Sequence, residues 1–63
     1  MHEDDSVELD VTVRYETPKA YLIYDGKVEV WVSKSQIEDS VIKGGKIVQI
    51  TVPEWLAKDK GLI

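Results

Sequence analysis

The chain has no cysteine and a single histidine, and no apolar stretch approaches the roughly 20 residues a membrane helix needs. Without cysteine it can form neither a disulfide nor a thiolate zinc site, and that absence suits a reducing compartment. The first residues carry neither the basic region nor the apolar core of a signal peptide. The expectation is a soluble, cytoplasmic protein. His2 lies in a polar terminal stretch, far from the ordered shell that a catalyst or ligand requires, and reads as a bystander. Ser33, Ser35 and Ser40 therefore have no structured histidine to activate them. Asp4 and Asp5 supply too few oxygens for a firm calcium site, which takes six to eight. Glu38-Asp39 reads as a solvated turn. Lys43-Gly44-Gly45-Lys46 lacks the glycine, lysine and hydroxyl spacing of a phosphate loop and reads as a plain turn. So short a chain also has little room for a substrate pocket. Enzymatic activity, a cofactor and a bound metal are not expected.

Bases are scarce at one end. The net charge is −4 over 63 residues, with 12 acids and 8 bases. Residues 1–10 hold Glu3, Asp4, Asp5, Glu8 and Asp10 and no Lys or Arg, so the other seven acids face all eight bases in residues 11–63. The body is nearly neutral, and the acidity sits on the terminal segment and one face of the first strand. One reading is a solubilising terminus that also guards a sheet edge. The sharper one is an acidic patch that attracts a basic partner or imitates nucleic acid. Strong non-specific DNA binding, which needs many Lys and Arg against phosphates, is disfavoured.

What is present is a run of strand signals. Val7, Leu9, Val11, Val13 and Tyr15 alternate with Ser6, Glu8, Asp10, Thr12 and Arg14, the period of a half-buried strand, over about residues 6–16. Glu16-Thr17-Pro18-Lys19 reads as a turn, because Pro18 fixes its own φ and pushes Thr17 toward extended geometry. A second strand covers Ala20 to Tyr24 and a third Lys27 to about Val32, with Asp25-Gly26 between them as a type I′ hairpin signal. Ser35 followed by Glu38 resembles a capping box, predicting one helical turn. Val41-Ile42 reads as a short strand and Lys43–Lys46 as a glycine turn. Ile47, Val48, Ile50 and Val52 then form the last strand. Pro53 opens a helix at its first turn, Trp55 and Leu56 supply its burying side, and Gly61 stops it, with Leu62 and Ile63 folding back. The chain is one small domain over residues 6–63 behind a flexible acidic tail at 1–5. Its expected architecture is mainly β: a small SH3-like or OB-like antiparallel barrel of four to five strands with a short C-terminal helix, closure removing exposed edges.

A two-residue loop at Asp25-Gly26 pairs Tyr24 with Lys27, Ile23 with Val28, Leu22 with Glu29, Tyr21 with Val30 and Ala20 with Trp31. Paired residues share a face. Tyr21, Ile23, Val28, Val30 and Val32 then make the core face. Ala20, Leu22, Tyr24, Lys27, Glu29 and Trp31 make a mixed second face. That face is either a minor core, with Trp31 and Leu22 packed under the terminal helix against Trp55 or Leu56, or an exposed platform of Tyr24 and Trp31 edged by Lys19, Lys27 and Lys34. Aromatics interleaved with Lys on a barrel face hold single-stranded nucleic acid, each stacked base contributing about 1–3 kcal/mol.

Four fragments carry a resemblance: Glu16-Thr17-Pro18-Lys19-Ala20, Trp31-Val32-Ser33-Lys34-Ser35-Gln36-Ile37, Thr51-Val52-Pro53-Glu54-Trp55-Leu56-Ala57 and Lys60-Gly61-Leu62. Together they resemble a group of short uncharacterised proteins encoded by phages and prophages, often among replication and recombination genes. The resemblance spans about residues 7–62, and the group carries proline where Ser33 stands here. It implies an accessory protein of the host-cell cytosol and carries over no catalytic residues.

The expectation is a non-enzymatic binding module of phage or mobile-element DNA metabolism, contacting single-stranded nucleic acid through Tyr24, Lys27, Trp31 and Lys34. The alternatives are a protein-binding adaptor or inhibitor acting through the acidic tail and first strand, and a structural homodimer whose mixed face is its interface.

Overall fold

The unbroken alternation from Ser6 to Glu16 forms two strands, because the chain bends where Val11 enters the core. In the computed structural model, β1 (Ser6–Asp10) and β2 (Thr12–Glu16) flank Val11. Val11 is buried, and its N–H donates to the Val48 carbonyl at 3.1 Å. The structure describes residues 5–63. The expected acidic tail, Asp5 excepted, lies outside the described residues, as does His2. Beyond the bend come β3 (Ala20–Tyr24), β4 (Glu29–Ser33), a 3-10 turn (Lys34–Gln36), β5 (Asp39–Lys43), β6 (Lys46–Pro53) and the helix α1 (Glu54–Asp59). The fold is mainly β, and the described residues form six strands in two antiparallel sheets ordered β1-β6-β5 and β2-β3-β4.

The two sheets and the helix share one core. Ile23 and Val32 from one sheet and Ile50 and Val52 from the other are fully buried, and Leu56, Ala57 and Leu62 join them. Full burial of such a side chain contributes about 1.5–3 kcal/mol. α1 is fixed at both ends. The Glu54 N–H donates to the Asp5 carbonyl, tying the helix start to the chain entry. At its end Gly61 takes φ +76°, Leu62 N–H donates to Ala57 O and Gly61 N–H to Lys58 O. That is the Schellman arrangement, with Leu62 as its buried contact. Ile63 is exposed instead of folding back. Trp55, expected on the burying side, is 57% exposed, and Ala57 takes that place beside Leu56. Pro53 ends β6 with extended geometry and flanks the helix rather than opening it.

The central hairpin keeps its faces and changes its register. Tyr24 pairs with Glu29, Ile23 with Val30, Leu22 with Trp31 and Tyr21 with Val32. This is a slip of two residues from the tight loop expected at Asp25-Gly26. The slip has a local cause. A type I′ turn needs positive φ at both central residues, but only Gly26 adopts it there. The Asp25 carboxylate instead accepts hydrogen bonds from the N–H groups of Lys27 and Val28. Because side chains alternate with period two, the even slip leaves every residue on its predicted side. The two-glycine turn is where positive φ occurs twice, at Gly44 (+59°) and Gly45 (+78°), and there Lys43 pairs directly with Lys46. The helical turn after β4 forms without a capping box: Ser33 and Ser35 share a hydroxyl hydrogen bond, and Glu38 accepts one from Ser6.

Candidate functional site

A single extra residue decides what the β2-β3-β4 sheet shows to solvent. Val13 pairs with Ile23, yet the next pair is Tyr15 with Leu22, so Arg14 is a β-bulge. Before the bulge, β2 follows its alternation and Val13 packs on the core. After it the parity reverses. Tyr15, expected on the core face, emerges on the outer face and is 64% exposed.

There Tyr15 meets Trp31. Their ring centroids are 6.2 Å apart and the planes are at 89°, the edge-to-face arrangement that aromatic quadrupoles favour. Leu22 lies between them on β3, paired to both. Trp31 is 44% exposed, so it does not pack under α1, and of the two sequence readings of the mixed face the buried minor core fails. At the far end of the same face, the Arg14 guanidinium sits 4.6 Å from the centre of the Tyr24 ring and pairs with Glu29 (3.5 Å). The Tyr24 hydroxyl donates to the Gly26 carbonyl, locking the ring against its own turn.

The four expected contact residues are not all brought together. Tyr24 and Trp31 share the outer face, and Lys27 is exposed in the turn beyond Tyr24. Lys34 is elsewhere. Its ammonium pairs with Glu16 and stands 4.8 Å from the centre of the Tyr21 ring, on the inner side of the sheet. The charge balance of this sheet follows. Its two strand acids, Glu16 and Glu29, are each matched by a base, whereas Lys19 and Lys27 form no ion pair among the described residues. These lysines occupy the turns at opposite ends of β3, a strand of about 17 Å. Asp25 is shifted in acidity: the N–H of Val28, then that of Lys27, hold its carboxyl below the ordinary aspartate value. That reinforces the turn that carries Lys27.

Sequence reasoning missed Tyr15 and Arg14. The alternation Val13-Arg14-Tyr15 is unbroken, so nothing in it marks a bulge. Only the pairing register against β3, Val13 with Ile23 and then Tyr15 with Leu22, reveals it.

Two other surface features stand out. The outer face of β1-β6-β5 carries Glu8, Thr51 and Asp39 in one row and Asp10, Gln49 and Val41 in the next, with Gln49 donating to Asp10. An open cleft of about 530 Å³ separates the β5-β6 end from β2 and β3, walled by Val11, Val13, Tyr21, Ile42 and Ile47. That is more room than so short a chain was expected to hold. Among the described residues its one carboxylate, Glu16, is already paired with Lys34. Among the described residues no three His, Cys, Asp or Glu side chains gather as a metal site requires, and no helix is long and apolar enough to cross a membrane. No protein-family model, curated protein or solved structure matches the chain.

Proposed function

We propose that this chain is a non-enzymatic binding module that holds a short stretch of single-stranded nucleic acid across the outer face of β2-β3-β4. The observation that carries this reading is the solvent-exposed Tyr15-Trp31 pair with the Arg14-Tyr24 stack beside it. Every base has a π-face, so two exposed rings and a guanidinium grip a strand without reading its sequence. Lys19 and Lys27, at either end of the platform, meet the phosphates. Lys34 belongs to the fold, clamping Glu16 and Tyr21. The shape in this reading is a partly open small barrel, with the cleft as its unclosed seam. The resemblance of four fragments to phage and prophage proteins supports a role in the DNA metabolism of a mobile element, in the host cytosol.

Few bases are engaged, so affinity is modest and falls gently with salt, by about 0.7 in log–log slope per phosphate contact. A fluorescence-polarisation titration with a labelled oligodeoxythymidine at low salt tests the reading. Saturable binding that Trp31→Ala weakens supports it. No binding at high micromolar protein overturns it.

One observation favours a second reading. The acids Glu8, Asp10 and Asp39 share a face, and the bases of that sheet, Lys43 and Lys46, stand only at the β5-β6 turn end, with none on β1 or on residues 47–53 of β6. Such a face suits a basic protein partner, as an adaptor or inhibitor would use. Under that reading Glu8→Gln with Asp10→Gln abolishes capture of the partner and Trp31→Ala does not.

A further inference from the structure

Among the described residues the two sheets leave strand edges unpaired, and these edges differ in what they would do against a second copy of themselves. β1, β5, β2 and β4 each pair on one side only. Pairing β1 with itself about its centre sets Glu8 against Glu8 of the other copy, and β2 likewise sets Arg14 against Arg14. Like charges directly opposite each other repel. β4, centred on Trp31, sets Glu29 against Ser33 and gains no charge pair. β5 is different. It reads Asp39-Ser40-Val41-Ile42-Lys43. An antiparallel copy centred on Val41 sets Asp39 against Lys43 at one end and Lys43 against Asp39 at the other.

We propose that this chain forms a two-fold homodimer by pairing β5 edge to edge with β5 of a second copy, Val41 lying on the axis. The result is one six-stranded antiparallel sheet, β1-β6-β5 continued into β5-β6-β1. Three observations support β5 as the interface. All five of its residues are exposed. Among the described residues neither Asp39 nor Lys43 makes an ion pair within its own chain. And β5 exposes two apolar side chains, Val41 and, at 62%, Ile42. Charged residues on an edge normally discourage pairing; here their order converts them into two reciprocal attractions, as an isologous contact requires. Val41 meets Val41 on one face. On the other, Ile42 lies opposite Ser40, and the two Ile42 side chains come within diagonal reach across the axis.

One short strand pair buries less than the roughly 1,200 Å² below which associations are weak and transient. The dimer therefore shows as a concentration-dependent equilibrium. It is independent of what the β2-β3-β4 face binds, because that face lies on the other sheet.

Sedimentation equilibrium from about 10 μM to about 1 mM at low salt tests the proposal, in the range where weak contacts populate. The wild type should shift from monomer toward dimer across it. Lys43→Glu, which places two acids at each end, and Asp39→Lys, which places two bases there, should each lower the association constant at least tenfold. The double variant D39K/K43E restores opposite charges and should recover association to within about threefold of wild type. Both substituted positions are solvent-exposed, and circular dichroism confirms that each variant is folded. A wild type that stays monomeric to about 1 mM overturns the proposal. So does a double variant no tighter than the singles, or single variants that associate as well as wild type.

Discussion

The two sheets are built from the same alternating strands around the same core, yet they present opposite chemistry to water. The β1-β6-β5 sheet turns out Glu8, Asp10 and Asp39, with Lys43 and Lys46 at the end of the β5-β6 hairpin. The β2-β3-β4 sheet turns out Tyr15, Leu22, Tyr24 and Trp31, with its acids matched by Arg14 and Lys34. The fully buried strand positions are Ile and Val on both sheets, so the larger difference lies on the outside. Inner faces only have to exclude water, and any apolar side chain of fitting volume does that. Two large exposed aromatics on one outer face, Tyr15 and Trp31, are not required for folding, and they support the proposal that this face is a contact surface.

The shared core is the first point at which the comparison can break. Ile23→Ala on one sheet and Ile50→Ala on the other each remove a fully buried side chain, costing about 2–5 kcal/mol. A single core in so small a domain supplies roughly 3–5 kcal/mol in all. Each variant should therefore lose the cooperative thermal transition of the whole chain, followed by circular dichroism. If Ile50→Ala leaves the β2-β3-β4 sheet protected from hydrogen exchange, the sheets are separate units and the common core is wrong.

The outer faces are the second point. Trp31→Ala should weaken single-strand binding by about 5- to 150-fold, the loss of one stacked base at about 1–3 kcal/mol. Its melting temperature should fall by only a few degrees, since Trp31 is 44% exposed. Glu8→Gln with Asp10→Gln, on the opposite sheet, should leave affinity within about threefold or strengthen it slightly through reduced repulsion. Equal losses from both sets of substitutions would erase the distinction between the faces.

Two smaller effects sharpen it. Arg14→Ala removes the cation held over Tyr24 and its pairing with Glu29. At an exposed site that is about 0.5–1 kcal/mol, seen as a lower urea midpoint and a weaker complex. Asp25 gives a pH signature. Its carboxyl is lowered by the N–H groups of Val28 and Lys27, so the stability it contributes is fully present above the ordinary aspartate value. That stability is lost as pH falls through the lower folded value. Asp25→Ala should flatten the acid limb of the stability curve and loosen the turn that presents Lys27. An unchanged acid limb would mean that the turn holds without its carboxylate.

Much of this was legible in the sequence, and the misses share a cause. The faces of β3 and β4 could be read because alternation is local and survives an even slip in register. Thus Tyr21, Ile23, Val30 and Val32 turn inward and Leu22, Tyr24 and Trp31 outward, though the Asp25 turn is longer than its Asp-Gly signal implied. The helix end at Gly61-Leu62 was legible because its signals are also local. What could not be read depends on residues distant in the chain. The bend at Val11 shows only once two sheets share one core, and the bulge at Arg14 only in the register of β2 against β3. The bulge is what delivers Tyr15 to Trp31, so half of the aromatic pair was invisible in a strand whose alternation never falters. Lys34 was misplaced for the same reason: only the fold shows Glu16 and Tyr21 waiting for it on the inner side.

The most direct measurement uses Trp31 as its own reporter. In a Trp55→Phe background, which removes the exposed indole of α1, Trp31 is the sole tryptophan. On titration with an oligodeoxythymidine at low salt its emission should be quenched saturably, and raising the salt should reverse the quenching. An emission that stays unchanged while the strand is added to high micromolar concentration would contradict a base-stacking role for the β2-β3-β4 face.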